Sequence, residues 1–295
     1  MSELFRSTAS EIHARLKGGD ISPLDCLDAL ESRIAAVDSK VNALPTLCFD
    51  RARAHARDLM KKPMEERGLL AGFPVPIKDL NDVAGVRSTQ GSPIYADRIA
   101  PTSDIMVTHL EKNGAIVYAM SNTPEFGAGA NTFNEVFGRT LNPWNTTRSA
   151  AGSSGGAAVA LATGTAWLAH GSDLGGSLRN PASFCGVVGM RPSPGRVAAS
   201  VHSKIDSTLG IEGPMARNVE DLALLFDAMV GEEPADPLSL PSDGTSYLKA
   251  ARSGWKPKRV AISRDLGISP VDPEVADIVM KAARQFEQAL SLIHI

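Results

Sequence analysis

Through the first third of the chain, apolar positions recur at helical spacing. They then change to short unbroken runs separated by helical stretches. Thr8 with Glu11 makes a capping-box pattern ahead of a first helix, and Gly18-Gly19 closes it. Ser22-Pro23 opens a second helix with Leu24, Leu27, Leu30, Ile34 and Val37 on one face. A third, rich in Ala and Arg, runs from about Asp50 to Met60. "AGFPVPIKDL" (Ala71–Leu80) reads as a strand bracketed by prolines, which predicts an edge or a strand entry. Ser103 is expected to cap a helix that continues through Glu111 and ends at Gly114, followed by "AIVYAM" as a buried strand. A helix should follow Gly156, with "AWLAHGS" and "GVVGM" as the next strands. Asn218 and Asp221 open the helix "VEDLALLFDAMV", "KRVAIS" (Lys258–Ser263) is a strand, and Asp272-Pro273 starts the last helix. Strands alternating with helices predict an α/β fold, a sheet covered by helices. The Pro-, Asp- and Ser-rich span 231–246 is expected to be a surface loop or linker. No internal repeat interrupts this pattern.

Composition narrows the function classes. The chain has 295 residues, 43% hydrophobic and 21% charged, with a net charge of −3. That suits a soluble globular protein with a sizeable core. It offers neither a nucleic-acid footprint nor a membrane-surface patch. No apolar run is long enough to span a bilayer, and the N-terminus lacks a signal-peptide pattern, so a cytoplasmic location is expected. Cys26, Cys48 and Cys185 form no C-x-x-C pair, which indicates reduced thiols rather than zinc or disulfides. The tail "LSLIHI" matches the translation of a sequencing-library transposon end in one reading frame, and residues 290–295 are expected to be non-native.

The candidate chemistry centres on "RSAAGSSGGAAVALATG" (Arg148–Gly164). A Walker loop fails because no lysine follows Gly156. A dinucleotide fingerprint fails on glycine spacing. A linker would not run straight into an apolar helix. Gly152-Ser153-Ser154-Gly155-Gly156 formally matches a nucleophile elbow with Ser154 at its centre, but that chemistry needs a downstream histidine. His170 sits in an apolar strand and reads as a satisfied core histidine, His202 has no supporting context, and His294 falls in the tail. A second glycine-rich turn, "SDLGGSLRNP", suggests another arrangement. Its glycines let successive amides turn inward, so the N–H groups of Leu174, Gly175, Gly176 and Ser177 could form an oxyanion hole beside Ser177. A serine needs a base, and a lysine serves when burial favours its neutral form. Lys78, in "FPVPIKDL", is the lysine in an apolar strand context. Residue type alone leaves two readings of it open: a buried base, or a surface residue paired with Asp79 or Asp82.

"PVPIKDL", "SNTPEFG", "AAGSSGGAAVALA", "SDLGGSLRNPASFCGVVGMRPSPGRV" and "GPMAR" occur in that order. Together they resemble the amidase signature family of amide hydrolases, from the N-terminal helices to at least Val230. The resemblance implies a central mixed β-sheet covered by helices on both faces, with a C-terminal part missing. It places residues 1–289 in one incomplete domain: N-terminal helices 1–65, a catalytic core 66–230 and the start of a C-terminal portion 231–289. It implies a catalytic triad of Ser177 as nucleophile, Ser153 as proton relay after a cis Gly152–Ser153 bond, and Lys78 as base. Ser154 supports the loop, and Asp173 and Arg179 brace the nucleophile turn. Pro181 and Gly186 are expected to fix the exit turn. No cofactor and no metal are implied. The partner is a small-molecule amide, without nucleic acid or membrane, and a homodimer fits the family. Ala151 stands where the family usually has glycine, and Ser172 where it usually has threonine. Two alternatives accompany the amidase reading: an amidotransferase subunit passing ammonia from glutamine to a partner protein, and a non-catalytic binding scaffold or fragment. The motifs leave the substrate open among aliphatic amides, aryl amides, ureas and cyclic-oligomer amides.

Overall fold

A computed structural model describes residues 3–199, 209–242, 244–257, 260–289 and 293–294. The chain divides into two compact units, Met1–Ala251 and Arg252–Ile295.

The first unit begins with α1 (Ala9–Gly18), α2 (Pro23–Val37) and α3 (Phe49–Met60), with a two-residue strand β1 (Thr46–Leu47) between the last two. The capping box at Thr8 and Glu11 is formed, and Gly19 ends α1 at φ +78°, a left-handed conformation open to glycine. Ser22 and Asp25 make a second capping box with Pro23 at the first helical position, so the start of α2 is set by local sequence.

β2 (Phe73–Lys78) and β3 (Ala115–Ser121) are parallel neighbours, buried along their whole length, and β1 pairs antiparallel with the other side of β3. The prolines do place β2 at the edge of this ladder, yet the edge is covered. Between β2 and β3 lies α4 (Ile105–Lys112). Its N-cap is Asp104, not Ser103 as expected. Ser103 Oγ instead accepts the N–H of Ala84, while the Asp104 carboxylate accepts from Asn81 and Asp82. A small hairpin, β4 (Phe133–Asn134) with β5 (Gly138–Arg139), precedes α5 (Gly155–Thr163). Gly155 to Leu161 of α5 are buried on every side, the pattern of a helix enclosed by its own protein.

A second sheet follows, built from β6 (Leu168–Asp173), β7 (Val188–Gly189) and β8 (Ile211–Ala216) in the order β6-β8-β7, all antiparallel. The short α6 (Arg179–Cys185) lies between β6 and β7, and Gly186 closes it at φ +70°. β8 was not predicted, because "IEGPMA" carries a glycine and a proline that argue against a strand. α7 (Val219–Met229) is capped by Asn218 as expected. The Asp221 carboxylate instead accepts the N–H groups of Ala9 and Ser10, each at 2.8 Å, fastening α7 to the start of α1. Residues 231–246 carry no helix or strand in their described part, before α8 (Tyr247–Arg252). The first ladder and the second share no strand-to-strand hydrogen bonds, yet β2 lies against β6.

The second unit contains β9 (Val260–Ala261), α9 (Pro273–Ala289) and β10 (Ile293–His294), with β9 and β10 parallel. Asp272 accepts the N–H of Glu274, so the Asp-Pro start of α9 is as expected. Lys258 and Arg259 of the predicted "KRVAIS" strand, and residues 290–292 and 295 of the tail, lie outside the described residues. No described helix is long and apolar enough to cross a membrane.

Candidate active site

Lys78 ends β2 with its side chain 0% exposed. Its Nζ lies 2.7 Å from Ser153 Oγ, 3.0 Å from Ser154 Oγ and 3.0 Å from Ser172 Oγ. The two readings of Lys78 are thus resolved in favour of burial. The Asp79 carboxylate turns to the N–H and hydroxyl of Thr89, and that of Asp82 to Arg98 and Ser88. Burial pushes the Asp79 carboxyl up to about 6, against the opposing hydrogen bonds from Thr89.

Three segments converge on the amine: the end of β2, the loop that opens α5, and β6. The loop is held by shape. The Gly152–Ser153 peptide is cis, and Ala151 before it sits at φ +58°, where glycine is more at ease. Gly155 and Gly156 are dictated by close approach: a Cβ on Gly155 would meet Thr132 Oγ1 at 2.3 Å, and one on Gly156 would meet the Asn122 nitrogen at 2.3 Å. Thr132 completes the clasp, accepting the Gly155 N–H at 3.1 Å and donating to the Ala151 carbonyl at 2.9 Å.

Ser154 stitches this loop to the second sheet. Its hydroxyl donates to the Ser172 carbonyl (3.1 Å) and accepts the Ser172 N–H (3.2 Å), and its own N–H donates to the Ser177 carbonyl at 3.2 Å. Ser154 thus makes three hydrogen bonds to the β6 end and the turn beyond it, while Ser153, 2% exposed, meets the amine at the shortest of the three distances.

The turn after β6 is organised around Asp173, whose side chain is 0% exposed. Its carboxylate accepts Gly176 N–H at 2.7 Å, Leu178 N–H at 3.1 Å, and Arg179 Nε and Nη2 at 3.0 and 3.1 Å. Arg191 Nη1 reaches it at 3.4 Å and also bonds the Asp173 carbonyl. Burial works against charge here, but the Arg179 guanidinium and the amides of Gly176 and Leu178 overcome it and hold the carboxyl well below the usual carboxylate range. One expectation changes. The Gly176 amide, offered as an oxyanion donor, is engaged by Asp173, because at φ +115° it points back into the turn. The Leu174, Gly175 and Ser177 amides are not among the donors to the Asp173 carboxylate. Leu174 is 60% exposed and a Cβ on Gly175 would meet nothing within 4 Å, so this part of the turn lies at the surface. Ser177 itself is half-buried, and among the described residues its hydroxyl and that of Ser153 are not hydrogen-bonded to each other. Such bonds often tighten only when substrate arrives.

Sequence reasoning missed Ser172 as a contact of the amine, although it noted its position as a departure from the family, and missed Thr132 and Arg191 altogether. His170 is fully buried and bonded through both ring nitrogens, to Lys78 N–H and Glu212. His202 and the side chain of His294 lie outside the described residues. Among the described residues no group of three or more His, Cys, Asp or Glu side chains is placed to hold a metal ion. What converges is an enclosed amine and a set of hydroxyls, each of which can both give and take a proton.

The amidase family model matches residues 25–291. Among curated proteins, a glutamyl-tRNA(Gln) amidotransferase subunit of Moorella thermoacetica is 38% identical over 97% of this chain and 59% of its own length. An acylamidase of Rhodococcus erythropolis is 38% identical over 95% of this chain and 59% of its own. Among solved structures, a bacterial aryl acylamidase of the amidase signature enzymes superposes with a TM-score of 0.90 at 31% identity, covering 98% of this chain and 60% of that one. A 6-aminohexanoate cyclic dimer hydrolase gives a TM-score of 0.87 at 28% identity, covering 98% and 60%. The chain thus spans about three fifths of the length of these relatives. On its ordered motifs, its fold and a family match over most of its length, this chain belongs to the amidase signature family.

Proposed function

We propose that the Lys78, Ser153 and Ser177 side chains hydrolyse the C–N bond of a carboxamide. Ser177 Oγ attacks the carbonyl carbon while its proton passes to Ser153, which gives its own proton to the neutral amine of Lys78. The carbonyl oxygen becomes an oxyanion, received by the amides of Leu174, Gly175 and Ser177. The relay then returns a proton to the leaving nitrogen, the C–N bond breaks, and ammonia or an amine departs. Water repeats the cycle on the acyl-enzyme, releasing a carboxylic acid. The observation that carries this reading is the 2.7 Å contact between a fully buried lysine amine and the Ser153 hydroxyl. An uncharged amine is the form a base requires. A catalytic core over 66–230, a cytoplasmic setting and a small-molecule amide as the partner belong to the same reading, with a homodimer as the expected assembly.

Covalent labelling by a fluorophosphonate probe tests it. The wild-type chain should label at Ser177 and Ser177→Ala should not. Lys78→Ala and Ser153→Ala should each slow labelling by about a hundredfold or more. Equal labelling of Lys78→Ala and wild type between about pH 6 and 9, the range over which a tuned base acts, would remove Lys78 from its role.

The likeness to amidotransferase subunits supports a second reading, in which the same site releases ammonia from glutamine for a partner protein. Co-purification with partner subunits, and glutamine as the preferred amide, separates it from a stand-alone amidase.

A further inference from the structure

We propose that His170, backed by Glu212, is the positioning residue that sets Lys78 in place, its imidazole standing in for the strand-to-strand hydrogen bonds absent between β2 and β6. What Lys78 is positioned for rests on the function proposed above. β2 is paired along one side only, to β3, and lies against β6 on the other without a ladder. Pro74 and Pro76 have no N–H, so β2 has lost two of the donors a neighbouring strand could use. The Lys78 N–H remains, and it donates to His170 Nδ1 at 3.3 Å.

This bond fixes the state of the ring. An Nδ1 that accepts carries no proton, so the ring proton sits on Nε2, which lies 2.7 Å from Glu212 Oε2. His170 is 0% exposed and the Glu212 side chain 12%. The register of the second sheet explains the pairing. His170 stands opposite Pro214 and Ser172 opposite Glu212, so His170 and Glu212 are diagonal neighbours on one face of an antiparallel pair. Two residues beyond His170 along β6, Ser172 puts its hydroxyl 3.0 Å from Lys78 Nζ. β6 therefore holds Lys78 at both ends, the backbone through His170 and the amine through Ser172. Because Nδ1 is occupied by a backbone N–H, the imidazole orients the lysine and takes no proton from a serine.

The test uses the full 295-residue chain labelled with 15N. In wild type, imidazole shifts should show Nδ1 without a proton and the ring proton on Nε2, and the Lys78 amide should exchange slowly with solvent. His170→Phe keeps the ring's bulk and removes the acceptor. It should speed Lys78 amide exchange about tenfold, the scale of one neutral hydrogen bond, and slow Ser177 labelling. His170→Asn leaves an oxygen where Nδ1 accepts and should restore both to within about threefold of wild type. A wild-type ring protonated on Nδ1, or Lys78 exchange unchanged in His170→Phe, overturns the proposal. Should His170→Phe lose its far-UV helical signal, the wild-type ring state and Glu212→Gln decide: Glu212→Gln keeps an acceptor for Nε2–H and should leave Lys78 exchange protected, and loss of that protection counts against the proposal. If wild-type Ser177 does not label at all, the proposed function fails, while ring state and amide exchange still judge His170.

Discussion

Replacing Asp173 by asparagine tests what holds the turn that carries Ser177. The carboxylate presents two oxygens to four close donors: Gly176 N–H at 2.7 Å and Arg179 Nη2 at 3.1 Å on one, Leu178 N–H at 3.1 Å and Arg179 Nε at 3.0 Å on the other. Asparagine has one oxygen. Whichever way its amide turns, an NH2 faces a backbone N–H that it cannot accept. One orphaned buried donor costs about 1–3 kcal/mol, and the surviving bonds lose their charge assistance. The Arg179 side chain is 55% exposed and regains water, so its share is small. The sum is a loss of about 2–4 kcal/mol, or a fall in Tm of about 5–10 °C. Urea unfolding followed by tryptophan fluorescence measures it, since Trp167 is fully buried. The carboxyl is held below its ordinary value, so its contribution is present above the unfolded pKa of about 3.9 and is lost as pH falls through the lower folded value. The gap between wild type and Asp173→Asn should therefore stay constant from about pH 5 to 8 and close in stronger acid. A gap under about 1 kcal/mol at neutral pH, the size of an exposed ion pair, would refute the reasoning, as would one that widens on acidification.

Three further outcomes are expected. Burial raises the Asp79 carboxyl from 3.8 to about 6, so its contribution to stability is complete below the unfolded value and is lost as pH rises through the folded one. Wild type should lose roughly 3 kcal/mol between about pH 4 and 7 from this group, read as a slope in urea midpoints that Asp79→Asn lacks. Gly156→Ala puts a Cβ 2.3 Å from the Asn122 nitrogen and 2.7 Å from the Ala43 carbonyl oxygen, whereas Gly175→Ala meets nothing within 4 Å. The first should lose about 3 kcal/mol or the fold itself, the second under about 1 kcal/mol, by thermal melts. Ser172→Ala removes a hydroxyl 3.0 Å from Lys78 Nζ and should slow Ser177 labelling about tenfold, with Ser172→Thr close to wild type.

The sequence made the capped helices legible because their signals are local: Thr8 with Glu11 and Asn218 each act within one turn. It also placed β3 and α5, whose apolar runs need no knowledge of their neighbours. β8 stayed hidden because Gly213 and Pro214 weaken strand propensity, and only its place between β6 and β7 makes it a strand. Ser103 looked like a helix cap, but a tertiary partner, Ala84, claims its hydroxyl. At the site, motif order led to Lys78, Ser153, Ser154, Asp173 and Arg179, all of which the structure brings to one region. The commitment of the Gly176 amide to Asp173 depends on a left-handed turn, which residue types do not specify. Ser172, Thr132 and Arg191 were missed because their contacts cross between segments.

The three hydroxyls around Lys78 Nζ lie 75, 76 and 94 residues further along the chain. On the ribosome the lysine is therefore made long before the groups it meets, and loops of that span close slowly. Until β6 has been synthesised and settled against β2, the amine sits in water as an ordinary ammonium ion and the serines are ordinary alcohols. A nascent chain thus lacks the buried cluster, which comes into being only as the two sheets meet.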